Sequence, residues 1–411
     1  MSIGKNNTND TRAGTQSGSL EGVKVVEFAQ VIAGPLAGTL MADMGADVVH
    51  VEAPQHGDSA RHMGPTKDDQ ALWWKVLGRN KRSLTLNLRD LESREVVTRL
   101  VKWADVVIVT FRSETLARFG LDWETVSSIN PSAILLQISG FGANTSKSNA
   151  PGFGKMGEAR SGVVHLTGFA GGPPVHTGFS HGDATTGLMG AFAVSAALVR
   201  RSQDPERRGE WIDLALHETL YRLIEWQVIM YDQLGTIPSR SGNALAVAPG
   251  AVINTFLSAD GDWITVTSAT SRSVENIVRL LGLPVEEFDT VTKQKARREF
   301  LDEELGQWIS QHSSEEALAA LEEADVVASR VFNIEDIFND PIYRERENIV
   351  TVEDKHLGPV RMQSVVPAMR NNPGRVWRTG PDIGEDNDLV LGSWLGFSQS
   401  EITKYKEDGT V

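Results

Sequence analysis

A short apolar run, Val23 to Phe28, meets a Gly34-Pro35 turn, continues as a helical stretch to Met44 and returns after Gly45 as a second run, Asp47 to Glu52. Strand, helix and strand in that order cannot close as a hairpin, so the second strand lies parallel to the first across the helix. The pattern recurs. Ser83 to Leu88 reads as a strand, Glu92 to Trp103 as a helix, Asp105 to Phe111 as a strand, and after two short helices Ala133 to Ser139 as another strand. The fold class that follows is α/β, a parallel sheet covered on both faces.

The rest of the chain divides by pattern. Residues 1–18 are polar and offer nothing to bury, which predicts a disordered tail. Residues 19–215 carry the strand and helix cycle. A small-residue helix is expected from Thr185 to Arg200, and one long helix from Leu216 to Leu234 opens a linker over 216–250. Residues 251–335 start a new cycle, with a strand at Ile264 to Thr267 and helices at Val274 to Leu281, Lys293 to His312 and Glu315 to Glu323, and predict a smaller domain. Residues 336–411 form a return with a last helix near Ser400.

With no Cys among 411 residues, disulfides, thiolate metal sites and acyl transfer through a protein sulfur are excluded, so any covalent step uses another side chain. The net charge of −14, with Lys and Arg spread along the chain, argues against a nucleic-acid partner. No apolar run approaches the ~20 residues that cross a bilayer, and the start has no signal-like apolar core, which predicts a soluble, cytoplasmic protein without a membrane partner.

Three stretches could carry chemistry. The turn Gln30 to Gly38 runs from a strand into a helix N-terminus, where unpaired N–H groups suit a phosphate. It lacks the G-x-G-x-x-G spacing of a dinucleotide site, although Glu52 stands where a ribose-binding acid would; an ordinary tight turn and another phosphate ligand both remain open. Next, Arg79, Lys81 and Arg82 precede a strand and read either as phosphate ligands or as a solvated loop, with Arg112, Arg118 and Lys155 as scattered further cations. The glycine-rich stretch Pro151 to Gly190 predicts bent backbone close to a ligand. Within it Asp183 is either a helix N-cap or a nucleophilic carboxylate at a helix start. His165, His176 and His181 lack metal-ligand spacing, so no metal site is expected.

The segments LEGVKVVEFAQVIAGPLAGTLMADMGADVVHVEAP, GRNKRSLTLNL, ADVVIVTFRSETLARFGLDWETV, NPSAILLQISGFG, GDATTGLMGAFAVSAAL, GEWIDLALHE and GEDNDLVLGSWLG, in this order, resemble the class III CoA-transferases, relatives of formyl-CoA:oxalate and carnitine CoA-transferases. The resemblance runs from Leu20 to Val411. It implies a Rossmann-like large domain built from both chain ends, a smaller inserted α+β domain, and two subunits interlocked as a homodimer, or with a paralogous second subunit. It further implies that acyl-CoA and a free carboxylic acid are substrates, with coenzyme A held as substrate and no permanent cofactor. Asp183 matches the catalytic carboxylate. Gln30, Val31, Ala33, Lys81, Arg82, Thr110, Phe111 and Arg118 match positions that hold CoA, and Lys155 joins them as a cation. The loop that covers the family's active site falls at Ser241 to Ala251, which puts Gly250 at the substrate, but SGNALAVAPGA lacks the consecutive glycines of the formyl-CoA enzyme. Gly154 replaces an acidic or aromatic residue, and Glu158 stands where Gln is common; both alter the acyl pocket.

Arg160, His181 and Arg240 could grip a second carboxylate, which points to a small dicarboxylic or hydroxy acid with succinyl-CoA as donor. The rival readings are an α-methylacyl-CoA racemase, whose opposed His and Asp are not matched by FGKMGEARSG, a non-catalytic CoA-binding subunit, and a nicotinamide dehydrogenase.

Overall fold

A computed structural model of the chain describes residues 18–245 and 247–411. The tail expected over 1–18 lies outside the described residues except for Gly18. Contacts divide the chain into two compact units: one holds residues up to 163, 177–226 and 344–411, the other residues 164–176 and 227–343.

The first unit is organised by six strands: β1 (Lys24–Phe28), β2 (Asp47–Glu52), β3 (Arg82–Thr85), β4 (Val106–Val109), β5 (Ile134–Ser139) and β6 (Glu210–Ala215). All neighbours pair in parallel, and the spatial order is 3-2-1-4-5-6. This is the doubly wound order, with a switch point between β1 and β4, outside whose carboxyl ends such sheets bind ligands. Nearly every residue of β1 to β5 is buried, because successive side chains leave opposite faces and both faces are covered. Val26, Phe28, Val49 and Val107 meet Val97, Leu100 and Val101 of α2 (Ser93–Trp103), while Val25, Val48, Val106 and Ile108 meet Ala37 and Met41 of α1 (Ala33–Asp43). Each fully buried Val, Leu or Phe contributes roughly 1.5–3 kcal/mol. The far end of the chain joins the same core through Val390, Leu391, Ile402 and Tyr405, so both chain ends build this unit.

The second unit centres on an antiparallel sheet of β7 (Val252–Leu257), β8 (Trp263–Ser268) and β9 (Ala328–Arg330), with β8 in the middle. Val252, Ile264 and Val266 pack there with Ile277, Leu305 and Leu321.

Three helices differ from expectation. The single helix expected over 216–234 is two, Glu218–Leu223 and Gln227–Leu234, because Glu225 turns to a φ of 53°. The one expected from Lys293 to His312 is broken into Val291–Ala296 and Arg298–Ser310. The small-residue helix starts earlier and ends later than expected, as His181–Gln203, and by length and composition it is apolar enough to cross a membrane.

Candidate active site

Asp183 sits on this helix, after α3 (Gly154–Arg160) in chain order and hence α4 (His181–Gln203). A helix rich in glycine is weak by propensity, at ~1 kcal/mol per Gly relative to Ala, so its stability comes from close packing. Three contacts show why these positions are glycine. A Cβ at Gly182 would lie 2.6 Å from the Gly154 carbonyl oxygen, at Gly187 2.8 Å from that of Ala33, and at Gly190 2.9 Å from a Leu136 methyl. α4 therefore lies directly on α3, α1 and β5. Ser180, not Asp183, precedes the helix, and Asp183 is its third residue with no capping role, which removes the N-cap reading.

Gly154 is the floor of the Asp183 carboxylate: a Cβ there would come within 2.0 Å of Oδ2. Among the described residues, no hydrogen-bond donor is placed on this carboxylate. Beside it, Glu158 is 1% exposed and accepts from the Gly182 N–H at 3.1 Å. Lys155 Nζ donates to Glu158 Oε2 at 3.0 Å and to the carbonyls of Thr177 and Phe179 at 3.0 and 3.1 Å. Burial, then repulsion from Glu158, push the Asp183 carboxyl up to about 6 against the pull of Lys155. A group poised there is ionised at neutral pH yet poorly solvated, the condition in which a carboxylate is most nucleophilic.

The other singled-out residues fall into separate groups. Gln30 and Thr110 are brought together at the carboxyl ends of β1 and β4, where the Gln30 N–H donates to Thr110 Oγ1 at 3.2 Å. Val31 follows with a φ of 68°, and Ala33 opens α1, whose N-terminus has no side-chain cap. Phe111 stacks edge-on against Phe119 at 5.6 Å, and exposed Arg118 lines a pocket with Arg89 and Arg94. Arg160 is exposed, 5.5 Å from the Phe141 ring centre. His181 tilts against Phe179. Arg240 and Gly250 belong to the second unit, where Arg240 donates to the His165 carbonyl at 3.1 Å and buried Gly250 packs on Gln294. A cavity of about 390 Å³ lies between α1 and the start of α4, lined by Ser180 and Ala184 but not by Asp183.

The run 79–82 contradicts both expectations for it. Lys81 is 0% exposed, with Nζ on Glu27 Oε1 and the Pro35 carbonyl, both at 2.6 Å, so its ammonium reaches no ligand. Arg79 is held by Asp43 at 2.5 Å, and Arg82 lies by Asp386 at 3.3 Å. Glu52 is likewise taken, by Arg61 at 2.6 and 2.7 Å and by Ser83, so it cannot serve a ribose. The charges are structural, and their partners lie far away in sequence.

One cluster escaped sequence reasoning. Glu27 and His50 pair in register on β1 and β2, and His50 with Ser83 on β3. His50 Nδ1 lies 2.6 Å from Glu27 Oε1, and Nε2 lies 3.4 Å from Asp58 Oδ2. The signal was available: a Glu and a His inside buried parallel strands must be paired. Among the described residues no group of three or more His, Asp or Glu could hold a metal.

The comparisons with known proteins decide the family. A family model described as CoA-transferase family III matches residues 20–387. The chain belongs to that family. This CoA-transferase is 34% identical over 389 residues to the succinyl-CoA–D-citramalate CoA-transferase of Chloroflexus aurantiacus, covering 93% of this chain and 96% of the other. It is 34% identical over 402 residues to the beta subunit of succinyl-CoA–L-malate CoA-transferase from the same organism, covering 95% and 98%. Among solved structures, a CAIB/BAIF family protein from Brucella suis superposes with a TM-score of 0.81 at 30% identity, covering 92% of this CoA-transferase and 100% of that chain.

Proposed function

We propose that this CoA-transferase moves CoA from succinyl-CoA to a small dicarboxylic or hydroxy acid through covalent intermediates on Asp183. The observation that carries the reading is the Asp183 carboxylate itself, half-buried against Gly154, without a hydrogen-bond donor among the described residues and raised to about 6. A carboxylate fully paired with cations would be a poor nucleophile; this one is not.

An Asp183 oxygen attacks the thioester carbonyl, the C–S bond breaks, and CoA leaves as thiolate from a mixed anhydride. The thiolate then attacks the aspartyl carbonyl, releasing the donor acid as carboxylate and leaving an aspartyl-CoA thioester. The acceptor carboxylate attacks that thioester to give a second anhydride, and the thiolate takes the new acyl group. No net proton moves, and the energy of one thioester is kept in the next. Water must stay out of the intermediates.

CoA is held along the carboxyl edge of the sheet by the Gln30, Val31 and Ala33 turn, by Thr110 and Phe111, and by the exposed cations Arg118 and Lys155. Arg160 and His181 contact the acid substrate. The citramalate and malate enzymes act on four- and five-carbon hydroxy diacids, which supports that acceptor class. The enzyme acts in the cytoplasm as a dimer, of two copies or with a paralogous chain. The outer face of α4 carries Leu188, Phe192 and Val199, 61%, 68% and 59% exposed, and a second subunit covers this stripe. A relative being named a beta subunit supports the paralogous form.

The test is a panel of free acids incubated with succinyl-CoA and read by mass spectrometry. Malate, citramalate, glutarate or mesaconate should become thioesters; exchange only with long-chain or aromatic acids would remove the diacid reading.

A further inference from the structure

We infer that His50 is a positioning residue for the CoA-binding turn, acting through Asp58 on the backbone of Val31. The inference rests on the reading above that this turn holds CoA.

Val31 is β-branched yet has a φ of 68°, a region such residues avoid, so something outside the turn must impose it. Two contacts do. The preceding amide, Gln30, is tied to Thr110, and the Val31 N–H donates to both oxygens of Asp58 at 3.0 and 3.2 Å. Asp58 is 0% exposed; its Oδ1 also accepts from the Ala60 N–H at 2.8 Å, and its own N–H donates to Glu52 Oε2 at 2.8 Å. Behind Asp58 stands His50, facing Glu27 from β1, Asp58 from the loop after β2, Glu52 from β2, Ser83 in register on β3, and the Trp74 ring at 5.2 Å. Lys81 Nζ meets the same Glu27 oxygen, Oε1, at 2.6 Å.

The cluster balances only with His50 charged. Glu27, Glu52 and Asp58 then face Lys81, Arg61 and His50. Burial pushes the imidazole down, but Asp58, Glu27 and Glu52 outweigh it and raise it to about 9. A buried ion cluster is seldom a gain over apolar packing, so its presence next to a strained turn at the ligand edge of the sheet is accounted for by what it fixes. Neutral His50 would leave Asp58 partly uncompensated and drawn toward water, and the Val31 amide would lose its anchor.

The experiment is a cycle of His50→Gln, Asp58→Asn and the double variant, with CoA affinity measured by titration calorimetry and exchange by KM and kcat. His50→Gln should weaken CoA by about tenfold or more and raise KM with kcat within about twofold. The double variant should recover most of the loss, because it restores charge balance while the Asn carbonyl still accepts from Val31. CoA affinity within about twofold of wild type for His50→Gln, or a double variant no tighter than His50→Gln, would overturn the inference. Should His50→Gln fail to fold, imidazole NMR of the wild type decides: both ring nitrogens protonated at pH 7.5 agree, and a neutral tautomer contradicts. If wild type itself binds no CoA, the functional reading falls along with this one; if it binds and the variants match it, only the role of His50 falls.

Discussion

Glu27 and Asp183 are both carboxylates drawn out of water in the large unit, yet their neighbours have opposite sign. Glu27 meets Lys81 and His50, each at 2.6 Å. Asp183 instead has a second acid, Glu158, whose charge adds to burial in raising it, and Lys155, whose charge opposes that shift, is bonded to Glu158 rather than to Asp183. The first arrangement spends its charges on holding three strands and a turn together. The second leaves a carboxylate whose charged state is unsatisfied, a cost in stability and the feature on which its proposed role as nucleophile rests. Burial alone therefore does not decide how a carboxylate behaves; the charges placed beside it do.

The contrast can be broken first at its reactive end. On the mechanism proposed above, Asp183→Ala should lower exchange by about 10⁴-fold or more, because it removes the nucleophile. The same variant should be at least as stable as wild type at pH 7.5 in denaturant titrations. At the compensated end the sign reverses. Arg79→Ala, which strands the buried Asp43 carboxylate, should cost about 3–5 kcal/mol in the same titrations. Equal destabilisation by both substitutions would erase the distinction drawn here.

Intermediate in size is Gly154→Ala. Its methyl would displace the Asp183 carboxylate, and a misplacement near 1 Å costs about 100-fold in rate, so kcat should fall by that order while melting temperature changes little. Smaller effects come from titration. Asp183 is raised from 3.8 to about 6, so its contribution to stability is full below 3.8 and lost as pH rises through 6. The stability difference between wild type and Asp183→Ala should shrink over that window by up to about 2 kcal/mol, after allowance for partial exposure. Exchange should show an acid limb near pH 6, and Glu158→Gln, by removing the like charge, should move that limb to lower pH. A limb that stays in place would mean that Glu158 does not act on Asp183.

The alternation of strands and helices from Val23 to Ser139 carried the parallel sheet, because short apolar runs joined by helical crossovers leave few topologies. Helix ends were less legible. Nothing in the sequence around Glu225 breaks a helix by propensity, and Ser180 is no stronger a cap than Asp183. The run Arg79 to Arg82 misled for a clearer reason: local sequence shows three cations, while Asp43, Asp386 and Glu27, which neutralise them, arrive from three other parts of the chain. Asp183 was legible as either a cap or a nucleophile, and the resemblance of GDATTG to a family pointed to the second; its unpaired state depends on Gly154 and Glu158, which fold against it from another helix.

Incubation with succinyl-CoA followed by quenching, digestion and mass spectrometry tests the central claim most directly. The account predicts a CoA thioester or a succinyl adduct on the peptide containing Asp183, removed by hydroxylamine and missing from Asp183→Ala. Rapid exchange by wild type with no adduct there, or an adduct formed equally in the variant, would contradict it.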